Sequence, residues 1–151
     1  MLKRTICCLM TTLLIQSAAT GAEKETRTSA DEPFPTELVD FTPAKQNPVF
    51  AARGKDHWDV RIRERGWILR DGNRYQMWFT GYDGTRDGLK MLGYATSKDG
   101  FKWTRHPGNP IYRQHWVEDM MVVKRDGTYY MFAEGRNDVA HLLTSQNGID
   151  W

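Results

Sequence analysis

A repeated turn motif is the feature that most constrains the fold of this 151-residue chain. The segment TSKDGFKW ends at Trp103, and the related segment TSQNGIDW ends 48 residues later at Trp151. Upstream of these, RYQMWFTG begins at Arg74 and its counterpart TYYMFAEG begins at Thr128. Each of the upstream segments follows an Asp-Gly pair, and Asp-Gly between apolar runs is a strong signal for a β-hairpin. The chain therefore contains two copies of one β-rich unit.

Each unit predicts a strand, an Asp-Gly turn, an aromatic strand, a third strand and a short edge strand that ends in tryptophan. The hairpin turns fall at Asp71-Gly72 and Asp126-Gly127, and the third strands cover 92–97 and 141–145. A repeat of about 50 residues with several short strands is typical of propeller blades. We therefore predict an all-β chain with about two β-propeller blades, between which the two repeated tryptophans pack.

The number of units sets a further expectation. Propellers close into rings of about four to eight blades, whereas this chain holds one full unit and a second that stops at Trp151. Two blades alone would leave a broad apolar face of the second blade uncovered. We expect an N-terminal portion of a longer propeller whose remaining blades are missing from this chain. The alternative is that several copies assemble into one ring.

The first residues are predicted to lie outside the fold. Lys3 and Arg4 precede a mostly apolar run over 6–15, which is too short to span a bilayer, and small residues lead up to Ala22. We assign 1–22 as a secretory signal peptide; an uncleaved membrane anchor is the alternative. The polar and proline-containing 23–46 is then a flexible leader, and 47–151 forms the two blades.

The composition of the mature chain excludes several classes of partner. Lys3 and Arg4 belong to the signal peptide, so 19 of the 21 basic residues remain against 19 acidic ones. This balance argues against binding to nucleic acid or, after signal cleavage, to a membrane, since either would need a basic face. Both cysteines, Cys7 and Cys8, also leave with the signal peptide, so a core without disulfides must hold the domain.

Acidic side chains gather at one end of the second hairpin. Glu118 and Asp119 begin its first strand, and Glu134 ends its second, so antiparallel pairing brings all three to the same end. Aligning the two units on their Asp-Gly turns matches Glu64 with Asp119 and Arg63 with Glu118. Inner strands line the channel of a propeller, so acids repeated there would converge, as general acid and base catalysis requires.

Other residues near these acids are candidates for the same site. Asp59 lies five residues before Glu64, and Arg61 and Arg63 alternate along an extended segment from which they could bind a substrate. The alternative for each acid is a solvated surface position. For Glu134, which replaces Thr80 in the repeat, it is a structural pair with an arginine.

Aromatic and histidine residues complete the candidate set. Trp58 and Trp116 each stand close to a candidate acid and could stack on a sugar ring, although packing within the blades is the alternative. His141 is the best histidine candidate for the channel. The four histidines do not show the spacing of metal ligands, and we therefore predict no metal.

Two segments of the chain resemble a known superfamily. WVEDMMVVKRDGTYYMFAEG and LGYATSKDGFKWTRHPGNPIY resemble the blades of the five-bladed β-propeller glycoside hydrolases, which include families 32, 43, 62, 68 and 117. The resemblance covers about residues 47–151 and implies five blades in the intact parent. The chain lacks the W-x-N-D-P-N-G motif of the fructan enzymes, and it ends before the blades that commonly supply the proton donor.

The resemblance implies roles for the acids. An acid of the first blade, Asp59 or Glu64, would be the base or nucleophile, and Asp119 would stabilise the transition state or tune the pKa of the proton donor. Glu118 and Glu134 are candidates for that donor. Some members hold a calcium ion in the channel, but this sequence has no dedicated ligand set, so no cofactor is predicted.

These observations lead to a functional hypothesis with two alternatives. The hypothesis is a secreted or periplasmic glycosidase that hydrolyses, or phosphorolyses, glycosidic bonds of a poly- or oligosaccharide through paired carboxylates. The first alternative is a non-catalytic carbohydrate-binding propeller. The second is an inactive truncated fragment.

Overall fold

The computed structural model describes residues 34–63 and 65–151. The predicted signal peptide, the start of the leader and Glu64 lie outside the described residues. The chain divides into two units, one reaching Thr42 and the other covering Pro43–Trp151. The described part of the first unit contains a 3₁₀ turn at Thr36–Leu38. The second unit contains the strands and every site discussed below.

The second unit contains two antiparallel sheets, as the sequence predicts. In the first sheet, β1 and β2 both pair with β3 and together form one interrupted inner strand. The first sheet contains β1 (Arg61–Ile62), β2 (Trp67–Asp71), β3 (Arg74–Tyr82), β4 (Met91–Ser97) and β5 (Trp103–Arg105). The second sheet contains β6 (Glu118–Arg125), β7 (Thr128–Glu134) and β8 (Ala140–Ser145), with a 3₁₀ turn at Arg136–Asp138 between β7 and β8. The predicted all-β architecture of partial propeller blades is confirmed.

The repeated turn motif forms the same hydrogen bonds in both sheets. The Ser97 hydroxyl accepts a hydrogen bond from the Gly100 N–H at 2.9 Å, and the Ser145 hydroxyl accepts one from the Gly148 N–H at 2.9 Å. The tryptophan that ends each motif donates its indole N–H to the carbonyl of that glycine, at 2.9 and 3.1 Å. The two related copies of the motif therefore have the same local structure.

One hairpin turn and one edge strand differ from the prediction. In the first sheet Asp71 pairs with Arg74, so the turn residues are Gly72 and Asn73 rather than Asp71 and Gly72. Gly72 has a φ of 62°, which suits a turn with glycine at its first position. The edge strand β5 begins at Trp103 instead of ending there, because the side-chain hydrogen bonds of the preceding turn occupy the residues before it.

The main core lies between the two sheets. Trp78 of β3 is fully buried there and donates its indole N–H to the carbonyl of Gly148 at 2.8 Å. Trp151 packs against Trp78 with ring centroids 6.3 Å apart, whereas Trp103 packs near Phe50 on the other face of the first sheet. The other buried members of the main core are Leu92, Tyr94, Val117, Met120, Val122, Tyr129, Met131 and Ala133.

The outer face of the second sheet is apolar and exposed. Met121, Phe132 and Leu142 are neighbours across its three strands, with 41%, 47% and 60% of their surface accessible. Phe132 occupies the repeat position that Trp78 occupies in the first sheet, where the second sheet covers it. The uncovered blade face expected from the sequence is present among the described residues.

Candidate functional site

Both inner strands are irregular near the same end of their sheets. Arg63, just after β1, donates its N–H to the Thr80 carbonyl at 3.0 Å. Glu118, at the start of β6, pairs with Glu134, and the register then shifts before Met121. Thr80 and Glu134 are equivalent in the repeat, so Arg63 and Glu118 occupy matching places. Such bulges re-aim side chains and are frequent beside functional sites.

Glu118 is a buried acid with a partner on each oxygen. The Arg63 Nε lies 2.9 Å from its Oε2, and the Trp116 indole N–H donates to its Oε1 at 2.8 Å. Only 6% of its surface is accessible. The hydrogen bond from Trp116 and the ion pair with Arg63 together hold the Glu118 side chain in place where the two sheets meet.

Asp119 follows Glu118 and pairs with a different arginine. Its Oδ2 lies 2.5 Å from the Arg65 Nη1, and its φ of 47° places it in the left-handed region, where aspartate is better tolerated than most residues. Arg63 and Arg65 therefore both bind acids at the start of β6. Glu64 stands between these arginines in sequence.

Glu134 is the acid with the most distinctive environment. It lines a small cavity of about 400 Å³ together with Asp119, Asp138 and His141. Partial burial raises the pKa of Glu134 above its usual value, and the neighbouring charges of Asp119, Glu118 and Asp138 raise it further. Arg65 acts in the opposite direction but has a smaller influence on this pKa. Glu134 thus keeps its proton to a higher pH than an ordinary glutamic acid does.

A larger cleft adjoins these acids. We call Glu118, Asp119, Glu134 and Asp138 the acid-rich end. The cleft has a volume of about 590 Å³, and Asp138 lines both it and the small cavity. Its wall includes Tyr82, Trp116 and Glu118. The three acids that the sequence places at one end of the second hairpin are thus brought together beside two cavities.

Two predicted site residues lie in another cluster. Asp59 is fully buried, with its carboxylate oxygens 2.8 Å from the Arg53 Nε and 3.4 Å from the Arg105 Nε. Trp58 stacks on Phe79 with ring centroids 5.7 Å apart. Neither residue lines the large cleft or the small cavity. Through its ion pair with Arg105 of β5, Asp59 holds the segment before β1 against the first sheet.

The remaining predicted binding residues lie at the edges of the two cavities. Arg61 is exposed, and a Cβ on Gly84, which lines the large cleft, would meet its side chain at 3.5 Å. His141 lines the small cavity and stacks on His115 with an interplanar angle of 18°. For Trp116, the Lys90 ammonium and the Arg136 guanidinium lie over the ring, 4.2 and 4.9 Å from its centroid. The part of the ring that these cations cover is unavailable to a sugar.

Lys90 is a residue that sequence reasoning missed. Only 3% of its surface is accessible, although it is charged and lines the large cleft. Its position directly before the apolar strand β4 was the available signal, because a lysine there must either reach solvent or find internal partners.

One carboxylate oxygen of Glu118 and one of Asp119 each face an arginine rather than an open space for a cation. Among residues 34–63 and 65–151, no three histidine, cysteine or acidic side chains are arranged to hold a metal. Within the same residues, no helix has the length and apolar character needed to cross a membrane.

Comparisons with known proteins identify the fold. No protein-family model and no curated protein matches the sequence. Solved structures do match: a glycosyl hydrolase from Bacteroides ovatus is 21% identical, with a TM-score of 0.59 over 72% of this chain and 38% of its own. A candidate glycoside hydrolase from Parabacteroides distasonis is 17% identical, with a TM-score of 0.53 over 69% of this chain and 38% of its own.

A candidate glycosidase from Bacteroides thetaiotaomicron gives a similar result, with 18% identity and a TM-score of 0.51 over 69% of this chain and 38% of its own. This chain thus spans less than two fifths of the length of these structures. The likeness predicted from the sequence is confirmed at the level of fold: the chain has the β-sheet architecture that these glycosyl hydrolases share.

Proposed function

We propose that the protein is a glycoside hydrolase in which Glu134 donates the proton and Asp119 tunes it. The observation that carries this proposal is the raised pKa of Glu134 in a cavity that it shares with Asp119. A glycosidase needs one carboxyl group that remains protonated near neutral pH and a second that is ionised. The shared fold with glycosyl hydrolases supports the same reaction class.

The charges around Glu134 suit proton transfer to a leaving oxygen. The anion of Asp119 makes it costly for Glu134 to lose its proton in the free protein. When a glycosidic bond breaks, positive charge develops on the sugar, and nearby carboxylates stabilise that charge. Arg65 holds Asp119 in place and limits the repulsion between the two anions after transfer.

The second working carboxylate is proposed to be Glu64. Its sequence neighbours Arg63 and Arg65 bind Glu118 and Asp119, so the chain on either side of Glu64 lies at the acid-rich end. Asp59, the other candidate for a first-blade base or nucleophile, has its carboxylate held between Arg53 and Arg105. This environment supports a structural role for Asp59.

The carbohydrate substrate is proposed to occupy the large cleft and the small cavity. Arg61 and His141 would contact it from the edges, and Trp116 would contribute the part of its ring that is not covered by cations. A non-catalytic carbohydrate-binding propeller remains the alternative. It is favoured by one observation, the pairing of both Glu118 and Asp119 with arginines.

Export is part of the proposal. The basic residues and apolar run within 1–22 support cleavage near Ala22 and a secreted or periplasmic location. The propeller would then comprise residues 47–151 and further blades, with 23–46 as the leader. N-terminal sequencing of the exported protein should begin close to Glu23; a mature protein that still starts at Met1 would contradict the assignment.

The substitution Asp119→Asn tests the proposed pair. We expect release of reducing ends from a panel of oligosaccharides to fall by about 10²-fold or more in the full-length protein. The alkaline limit of activity should also move to lower pH, because Glu134 loses the anion that raises its pKa.

Asp126→Asn is the matched control. Asp126 is exposed in the hairpin turn, and asparagine tolerates its φ of 50°. Unchanged turnover in Asp119→Asn would refute the role of Asp119. Glycan binding by the unsubstituted protein without release of reducing ends would instead support the non-catalytic alternative.

A further inference from the structure

Lys90 is a buried cation whose hydrogen-bonding capacity is fully used. Its ammonium donates to the carbonyls of Thr85, Arg86 and Gly88 at 3.3, 2.8 and 3.0 Å. An ammonium has three donors and no acceptor. Lys90 therefore has no N–H left to offer a substrate, and its effect on the site must pass through the groups that it holds.

Two aromatic rings enclose the same ammonium. Its Nζ lies 4.3 Å from the centroid of the Tyr82 ring and 4.2 Å from that of Trp116. A desolvated cation–π contact of this kind attracts the ring as well as the cation. Burial lowers the pKa of Lys90, while the charge of Glu118 opposes that change.

The main chain next to Trp116 is fixed by two hydrogen bonds, both to residues in or beside the first sheet. The Val117 N–H donates to the Lys90 carbonyl at 2.9 Å, and the Thr80 hydroxyl donates to the Val117 carbonyl at 3.0 Å. With its backbone clamped in this way, the ring of Trp116 can still rotate about its side-chain bonds. The contact with Lys90 restricts that rotation and leaves the indole N–H on Glu118.

We propose that Lys90 is a positioning residue that holds the 83–88 loop against Trp116 and thereby keeps the Trp116 indole N–H on Glu118. A cation in the floor of the large cleft thus sets both the cleft wall and the orientation of an acid beside Glu134. The importance of this arrangement for hydrolysis rests on the proposed function. The positioning of the loop and of Trp116 by Lys90 does not depend on that function.

The test compares Lys90→Met with Lys98→Met in the full-length protein. Lys90 directly precedes β4 and Lys98 directly follows it, so the two changes remove one charge from opposite ends of the same strand. The readout is the indole ¹H–¹⁵N signal of Trp116, assigned with Trp116→Phe. In Lys90→Met we expect this signal to move toward that of a water-exposed indole, whereas in Lys98→Met it should stay in place.

The loop provides a second readout. Loss of three hydrogen bonds to a charged donor should speed tryptic cleavage after Arg86 by about tenfold or more in Lys90→Met. Should that variant fail to fold, both readouts are taken in Lys90→Gln, whose neutral amide has only two N–H donors and no charge to attract the Trp116 ring. A folded Lys90 variant with an unmoved Trp116 signal overturns the proposal, even if its melting temperature is lower.

Hydrolysis is measured separately on the same proteins. If the unsubstituted protein releases reducing ends, we expect Lys90→Met to lower kcat by about tenfold, and an unchanged kcat would remove Lys90 from the catalytic account. A protein without hydrolytic activity would refute the proposed function. The indole result would still decide the positioning role of Lys90.

Discussion

Glu134→Gln is expected to abolish most hydrolysis of natural glycans, with kcat reduced by about 10²- to 10⁴-fold. Glutamine has nearly the same shape as glutamic acid but cannot donate a proton to the leaving oxygen. Burial and the charge of Asp119 raise the pKa of Glu134, which prepares it for that transfer. The measurement is the initial rate of reducing-end release near neutral pH.

The leaving group distinguishes proton donation from a general disturbance of the site. A nitrophenyl glycoside has a leaving group that departs without a proton, so Glu134→Gln should hydrolyse it at close to the normal rate of bond cleavage. Equal losses on the two substrates would show that Glu134 does not act as the acid.

Trp78→Ala is expected to destabilise the two-sheet unit by about 3–5 kcal/mol, the usual range for deleting a buried aromatic side chain. Trp78 is fully buried between the sheets, lies 5.5 Å from the ring of Tyr94 and 5.9 Å from that of Tyr129, and bonds the Gly148 carbonyl. The loss therefore combines a cavity with one of the two hydrogen bonds that the Gly148 carbonyl accepts, since Trp151 still donates the other. Urea unfolding followed by circular dichroism measures it.

Phe101→Ala is a control for this substitution, because nearly half of the Phe101 surface is accessible. Its effect should stay within about 0.5 kcal/mol, as is usual for surface substitutions. A loss below 1 kcal/mol in Trp78→Ala would show that the two sheets do not share the core described above.

The repeat made the fold predictable because its signals are local. Ser97 and Ser145 form the same turn from the same short motif, and Asp126-Gly127 forms the predicted hairpin turn. The turn of the first hairpin lies one residue later than predicted, because Gly72 is equally suited to the first position of a two-residue turn. The choice between Asp71-Gly72 and Gly72-Asn73 as the turn residues depends on the register of the two strands, which the sequence alone does not show.

The candidate site was only partly predictable, because it depends on partners distant in sequence. Asp59 and Trp58 stand close to Glu64 in the chain, but Arg105 and Phe79 hold them in a separate cluster. Lys90 acquires its role from Trp116, which the sequence places 26 residues away. No local pattern encodes these contacts.

Glu134 shows how the repeat can mislead. Its counterpart Thr80 is fully buried and donates to the Val117 carbonyl, so comparison of the two units suggests that blade geometry does not require an acid there. Glu134 can still have a chemical role at a position where the fold does not require an acid. The neighbouring charges of Asp119, Glu118 and Asp138 supply the environment that such a role needs.

The most direct test of the account is the titration of the Glu134 side-chain carboxyl, followed by ¹³C NMR. We predict a pKa above the ordinary value of 4.5 and a lower pKa in Asp119→Asn. Because the folded state holds this proton more tightly than the unfolded state, stability should fall as pH rises from about 4.5 through the folded-state pKa. A Glu134 carboxyl that titrates at or below 4.5, or that is unaffected by Asp119→Asn, would contradict the proposed acid pair.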